Sequence, residues 1–112
     1  MFRRISTPPS VPIVLPAQAA PLVKARQAIL VDVRERAEWD EARIPGAIHV
    51  PLGELATRLH EIPRDRKVIL QCRSGNRSRS ATELLLQAGY ADVANLEGGI
   101  VRWAREGHPV EA

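Results

Sequence analysis

Cysteine is almost missing from this chain of 112 residues, which contains Cys72 and no other. A single cysteine excludes an internal disulfide framework and a cysteine-rich zinc site, because both need several thiols. Histidine is also scarce, and His49, His60 and His108 lack the spacing typical of metal ligands. We therefore expect neither a metal nor another cofactor.

Aromatic residues and long apolar runs are scarce as well. The four aromatic residues do not interleave with a basic stripe, and the net charge is only +3. A nucleic-acid-binding surface is therefore not expected. No apolar stretch approaches the roughly 20 residues that cross a bilayer, so a membrane is not an expected partner either.

The N-terminal segment has a basic start and an "AQA" sequence, two features of a signal peptide. Four prolines between positions 8 and 16 interrupt any apolar helix there, and the apolar run "VPIVL" is too short. We expect a cytoplasmic protein with a flexible tail at residues 1–10. The length of the remainder, residues 11–112, predicts a single domain.

Strand-like and helix-like segments alternate along that domain. Continuous apolar runs predict buried strands, and shorter runs predict further strands; the five segments are 11–15, 28–33, 47–50, 67–71 and 93–97. Helices are expected in residues 16–25, 34–42, 51–62, from Ser78 or Ser80 to 88, and 98–107. This alternation predicts a parallel sheet with helices on both faces.

Cys72 lies at the carboxyl end of a predicted strand, where such sheets bind ligands. The polar residues that follow it are Arg73, Ser74, Gly75, Asn76, Arg77 and Ser78. Gly75 and Asn76 tolerate the left-handed backbone that a sharp turn needs. A loop curled before a helix points its N–H groups inward, which favours an anion and lowers the pKa of a thiol. Cys72 is therefore the candidate nucleophile.

Two reactions use a cysteine in this setting, phosphoryl transfer and sulfur transfer through a persulfide. Cysteine phosphatases carry arginine six positions after the cysteine, where this chain has Ser78. The arginines lie one position to either side, at Arg77 and Arg79. A loop that is one residue shorter forms a smaller ring, which suits a single outer sulfur atom.

The chain resembles a single-domain rhodanese, of the thiosulfate sulfurtransferase family. The resemblance covers roughly residues 11–110 and is carried by "ILVDVRE", "IPGAIHVP", "VILQCRSGNRS" and "LEGGIVRW". It implies a three-layer α/β/α fold whose five parallel strands have the order 3-2-4-5-1. It also implies an active-site loop at residues 72–77, whose N–H groups hold a persulfide on the catalytic cysteine. The family often has Gly-His before Ile44, where this chain has Ala42 and Arg43.

Supporting roles are expected for residues outside the loop. Asp32 and Arg34 are expected to fix loops through hydrogen bonds and an ion pair, with a direct catalytic role as the alternative. Gly98 and Gly99 are expected to allow a tight turn with close approach to the loop. Trp39 and Trp103 are expected in the core, and His49 is expected to pack rather than catalyse.

The resemblance favours an enzyme that moves the outer sulfur of thiosulfate to cyanide, thioredoxin, glutathione or an acceptor protein, acting as a monomer. The first alternative is a non-catalytic module for protein binding or sulfur relay. A 3-mercaptopyruvate sulfurtransferase is less favoured because such enzymes have a less charged loop. A cysteine phosphatase or arsenate reductase is disfavoured by loop length and by the absence of a resolving cysteine. The loop arginines either capture the anionic donor or pair with acids such as Glu35 or Glu38.

Overall fold

The computed structural model describes residues 11–112, and the tail expected at residues 1–10 lies outside them. The strands are β1 (Ile13–Val14), β2 (Ala28–Asp32), β3 (Ile48–His49), β4 (Lys67–Gln71) and β5 (Val93–Leu96). The α-helices are α1 (Pro16–Lys24), α2 (Arg36–Glu41), α3 (Asn76–Gln87) and α4 (Gly99–Arg105). Within this part of the chain, no helix is long and apolar enough to cross a membrane.

The sheet is parallel throughout, and its strand order is β1-β5-β4-β2-β3. This is the predicted order 3-2-4-5-1 viewed from the other edge. β4 lies at the centre and pairs with β2 along its whole length, from Ala28↔Lys67 to Asp32↔Gln71. Cys72 therefore directly follows the central strand, which is paired on both sides, at the carboxyl edge of the sheet.

Two apolar clusters cover the two faces of the sheet. On one face, Leu85 of α3 and Leu55 pack with Val31 and Cys72. On the other, Ala19 of α1 and Trp103 of α4 pack with strand residues that point the opposite way. The three-layer α/β/α prediction is confirmed, and Cys72 belongs to the face that α3 covers.

The α-helix predicted for residues 51–62 is wrong. Two short 3₁₀ helices occupy this segment, Leu52–Thr57 and Leu59–Glu61. Leu52 and Leu55 are three residues apart, a spacing that also fits the three residues per turn of a 3₁₀ helix. Gly53 lowers the propensity for an α-helix. Leu55 alone is fully buried in the first of the two helices, so packing adds little reward for a longer regular helix.

The predicted start of α3 is also wrong. The helix begins at Asn76 rather than at Ser78 or Ser80, and its N-cap is Gly75, with φ of +110°. A left-handed conformation within the loop therefore falls on Gly75, and Asn76 is already helical. The Ser-x-x-Glu spacing of Ser80 and Glu83 favours a capping box at a helix start, but none forms because the helix passes through both residues.

Candidate active site

The sulfur of Cys72 lies at the centre of a set of hydrogen-bond donors. The N–H of Gly75 is 3.1 Å from Sγ, and the N–H of Ser78 is 3.4 Å from it. The hydroxyl of Ser78 is also 3.4 Å from Sγ. The residue is only 1% exposed, so the donors meet the sulfur in a site with little competing water.

Sγ takes the place that a side-chain oxygen usually has at the start of a helix. Gly75 is the N-cap of the 12-residue helix α3 and has no side chain to accept a hydrogen bond. The N–H of the third helical residue, Ser78, points instead toward Sγ. The positive end of the helix dipole thus faces the sulfur and favours its anionic form.

Two opposing influences set the pKa of Cys72. Burial is the largest and raises the pKa, because it disfavours the thiolate. The Ser78 hydroxyl and the backbone N–H groups of Ser78, Gly75 and Ser74 lower it. The donors outweigh the burial, and the pKa of the thiol lies below its usual value.

Asn95 on β5 ties this donor set together. The Ser78 hydroxyl donates to Oδ1 of Asn95 at 2.6 Å, and Nδ2 of Asn95 donates to the carbonyl of Gly75 at 3.0 Å. A hydroxyl has a single hydrogen, and its contact with Asn95 is shorter than its contact with Sγ. We infer that the backbone N–H groups are the steady donors to the sulfur. The sequence carries no local signal for Asn95, which lies 20 residues from Gly75.

The start of α4 holds the other side of the loop. The N–H of Ile100 donates to the carbonyl of Cys72 at 2.9 Å, and the N–H of Val101 donates to that of Arg73 at 3.2 Å. A Cβ at Gly99 would overlap the carbonyl of Cys72 and lie 2.5 Å from that of Arg73. The close approach expected for Gly98 and Gly99 is therefore present, with the tight contact at Gly99.

Arg77 is held by an acid of α2. Its Nη1 and Nη2 atoms donate to the two carboxylate oxygens of Glu38, at 2.7 and 2.9 Å. The pair lowers the pKa of Glu38 to about 2 and raises that of Arg77. Arg73 and Arg79 are exposed. Of the two roles considered for the loop arginines, pairing with an acid describes Arg77.

Asp32 and Arg34 form a buried ion pair at the carboxyl end of β2. Nε of Arg34 lies 3.0 Å from both carboxylate oxygens of Asp32, and Nη2 donates to one of them at 2.7 Å. The same Nη2 atom donates to the carbonyl of Ala42. These contacts anchor the segment containing α2 and support the loop-fixing role expected for the pair.

The remaining candidates occupy different environments. Trp103 is 2% exposed and lies in the core as expected. Trp39 is only half-buried, outside the core, and stacks on His49 at 4.8 Å between ring centroids. Nε2 of His49 contacts the carbonyl of Arg34 at 2.7 Å, so this histidine packs. Nowhere in residues 11–112 do three His, Cys, Asp or Glu side chains gather as metal ligands would.

The donor set predicts how the thiol titrates. Because the pKa is lowered, we expect the ultraviolet absorbance of the thiolate to appear with a midpoint below the free value of about 8.5, and to disappear as the pH falls through that midpoint. Ser78→Ala removes the hydroxyl and keeps the N–H, so its midpoint should rise toward the free value. A wild-type midpoint at or above the free value would contradict this account.

Comparison with known proteins identifies the family of the chain. Residues 15–106 match the family model for the rhodanese-like domain. A sulfurtransferase of Allochromatium vinosum is 45% identical over 91 residues, which are 81% of this chain and 85% of that protein. The thiosulfate sulfurtransferase GlpE of Pseudomonas syringae is 31% identical over 97 residues, 87% of this chain and 91% of the relative.

This chain also matches part of some longer proteins. The probable adenylyltransferase/sulfurtransferase MoeZ of Mycobacterium tuberculosis is 39% identical over 90 residues, 79% of this chain but 23% of that protein. A rhodanese-related crystal structure from Thermoplasma volcanium superposes with a TM-score of 0.82 at 34% identity, covering 89% of this chain and 97% of the other. With its parallel sheet, its cysteine loop and these relatives, the chain belongs to the rhodanese-like sulfurtransferase family.

Proposed function

We propose that the protein is a thiosulfate sulfurtransferase with Cys72 as the nucleophile. The observation that carries this proposal is the convergence of the N–H groups of Gly75 and Ser78 on the buried Sγ of Cys72. The Cys72 thiolate attacks the outer sulfur of thiosulfate, the S–S bond of thiosulfate breaks, and sulfite leaves with the bonding electrons. Cyanide or a thiolate then attacks the outer sulfur of the persulfide, and the Cys72 thiolate is released. No other oxidant or reductant is needed.

The loop supplies what each half-reaction needs. Its N–H groups stabilise negative charge on the sulfur that attacks, and later on the sulfur that leaves. Residues 73–78 form the segment that carries those N–H groups. We assign this segment to binding thiosulfate and the persulfide. Asp32 and Arg34 are assigned a positioning role, because they anchor the neighbouring segment.

Thiosulfate is the favoured donor for electrostatic reasons. Arg73, within the loop, and Arg79, in the first turn of α3, are exposed and attract a dianion. The named activity of the GlpE relative supports the same donor. The same positive charge also attracts 3-mercaptopyruvate, a monoanion, but less strongly, which leaves that donor as the runner-up.

The acceptor is proposed to be a thiol of the reducing cytoplasm, from glutathione, thioredoxin or an acceptor protein, with cyanide as the laboratory acceptor. A sulfur-relay module remains the second candidate. The relative MoeZ is named both a probable adenylyltransferase and a sulfurtransferase, so a domain similar to this chain is joined there to a second activity, which supports this candidate. A phosphatase is disfavoured because the loop is one residue short and Ser78 stands at the arginine position.

The direct experiment supplies purified protein with thiosulfate and cyanide and measures thiocyanate. Parallel reactions use 3-mercaptopyruvate with cyanide, and p-nitrophenyl phosphate alone. We expect thiocyanate from thiosulfate at the higher kcat/KM and no phosphate release. Persulfide formation without turnover to cyanide would favour the relay module, and phosphate release would overturn the assignment.

The Arg77–Glu38 pair predicts that thiosulfate binding weakens in a single variant and partly recovers in a double variant. Arg77→Ala removes a cation and leaves the carboxylate of Glu38 unpaired beside the loop. We expect kcat/KM for thiosulfate to fall about tenfold, mainly through KM. The double variant Arg77→Ala/Glu38→Ala should recover part of this loss, because the unpaired carboxylate is gone.

Salt provides a second measurement for the same pair. Rising ionic strength screens capture of a dianion, so KM for thiosulfate should rise in the wild type and rise less in Arg77→Ala. Arg36→Ala serves as the control, because Arg36 is exposed on α2 and pairs with Asp40. An unchanged KM and the same salt response in all variants would leave Arg77 without a part in substrate capture.

A further inference from the structure

A cavity of about 830 Å³ opens at the end of the sheet opposite Cys72. It includes Ala28 at the start of β2 and Arg66, which directly precedes β4. The five residues of β4 separate Arg66 from Cys72, and the six steps from one to the other span roughly 20 Å at 3.3 Å per residue. The cavity is therefore separate from the sulfur-transfer site, and that reaction does not use it.

Small side chains create this space, and fixed segments keep it open. Ala20 of α1, Ala28 and Gly46 line it where larger residues would fill it. The C-terminal segment forms one wall and is held in place, because Nε1 of Trp103 donates to the carbonyl of Pro109 at 2.8 Å. Arg43 and Glu111 add two backbone hydrogen bonds of 2.8 Å. The cavity is thus preformed, as small-molecule sites usually are.

The walls and the rim differ in chemistry. Ile44 and Trp103 are buried and form an apolar floor. Three exposed cations lie at the rim: Lys24 at the end of α1, Arg26 in the turn after it, and Arg66 before β4. Among the lining residues in the described part of the chain, none is acidic. Oδ1 of Asp65 lies 3.9 Å from Nε of Arg66, and the Asp65 side chain is mostly exposed. An exposed ion pair at this distance neutralises the charge of Arg66 only weakly.

We propose that this cavity binds a small organic anion with a compact apolar body, of the aryl carboxylate class. The apolar body would lie against Ile44 and Trp103, and the carboxylate would lie at the rim beside Lys24 and Arg66. The volume falls in the range of sites that enclose such molecules. A second copy of the chain fits the rim less well, because two such faces would bring like charges together.

The test titrates isotope-labelled protein with 1-naphthoate and, separately, with the neutral 1-naphthalenemethanol. The indole N–H signal of Trp103 is followed by NMR and is assigned with a Trp39→Phe variant. We expect saturable shifts at Trp103 and an affinity for naphthoate about fivefold or more tighter than for the alcohol. The variant Lys24→Ala/Arg66→Ala should bring the naphthoate affinity down to that of the alcohol.

Two controls separate the cavity from general effects. Arg36→Ala/Arg105→Ala removes two exposed arginines that do not line the cavity and should bind naphthoate as the wild type does. Ala20→Phe should place a ring inside the cavity and weaken binding of both probes, while thiosulfate still converts Cys72 to its persulfide. Equal affinity for the two probes, shifts that do not saturate, or a concentration-dependent dimer that shifts Trp103 without any probe would each overturn the proposal.

Discussion

Cys72→Ser is expected to abolish sulfur transfer and leave the protein folded. Serine can accept the hydrogen bonds that Gly75 and Ser78 now direct at Sγ, so the loop should keep its shape. Its hydroxyl does not ionise to a useful extent near neutral pH and cannot form a persulfide. Thiocyanate production should fall to the uncatalysed background, and thermal unfolding should show a cooperative transition near that of the wild type.

Turnover by a folded Cys72→Ser protein would contradict the mechanism. A second variant, Cys72→Ala, guards against a folding effect of the serine, because alanine adds no polar atom to a buried position. Both variants should be inactive for the same reason. An unfolded Cys72→Ser together with a folded, active Cys72→Ala would overturn the assignment equally well.

Gly99→Ala is expected to damage both the loop and the fold. The new Cβ would lie 2.5 Å from the carbonyl oxygen of Arg73, and the backbone atoms it meets cannot rotate away. Gly99 also has φ of +59°, where a side chain adds strain. The loop must shift, and the donors around Sγ lose their convergence. We expect kcat/KM to fall by about 100-fold or more, with a lower melting temperature.

Gly107→Ala is the matched control for this variant. Gly107 has φ of +88°, and a Cβ there would meet nothing within 4 Å. It therefore carries the backbone strain without the collision and should lose about 1 kcal/mol of stability with normal turnover. Full activity in Gly99→Ala would show that contact between α4 and the loop does not position the sulfur.

Much of this architecture follows from patterns that are local in the sequence. The apolar run of β4 and the alternation of strands and helices predict a parallel sheet, and the family resemblance predicts its order. The position of Cys72 after a buried strand predicts its place at the carboxyl edge. These features depend on the periodicity of apolar residues and on the direction of the chain, and both can be read from a single sequence.

Other features depend on contacts between distant residues and were missed or wrong. The predicted start of α3 is too late because the acceptor at its N-terminus is a cysteine sulfur, not the serine oxygen that capping patterns use. The segment at residues 51–62 has leucines whose spacing fits two kinds of helix. Asn95 contacts the loop across 17 and 20 residues of sequence, and no local pattern marks it.

The most direct test of the central claim is the intact mass of the protein after incubation with thiosulfate and removal of small molecules. We predict a gain of one sulfur atom, located on the peptide that contains Cys72, with one equivalent of sulfite released and the sulfur lost again on addition of cyanide. An unchanged mass, or a sulfur atom located on any other peptide, would contradict the proposed mechanism.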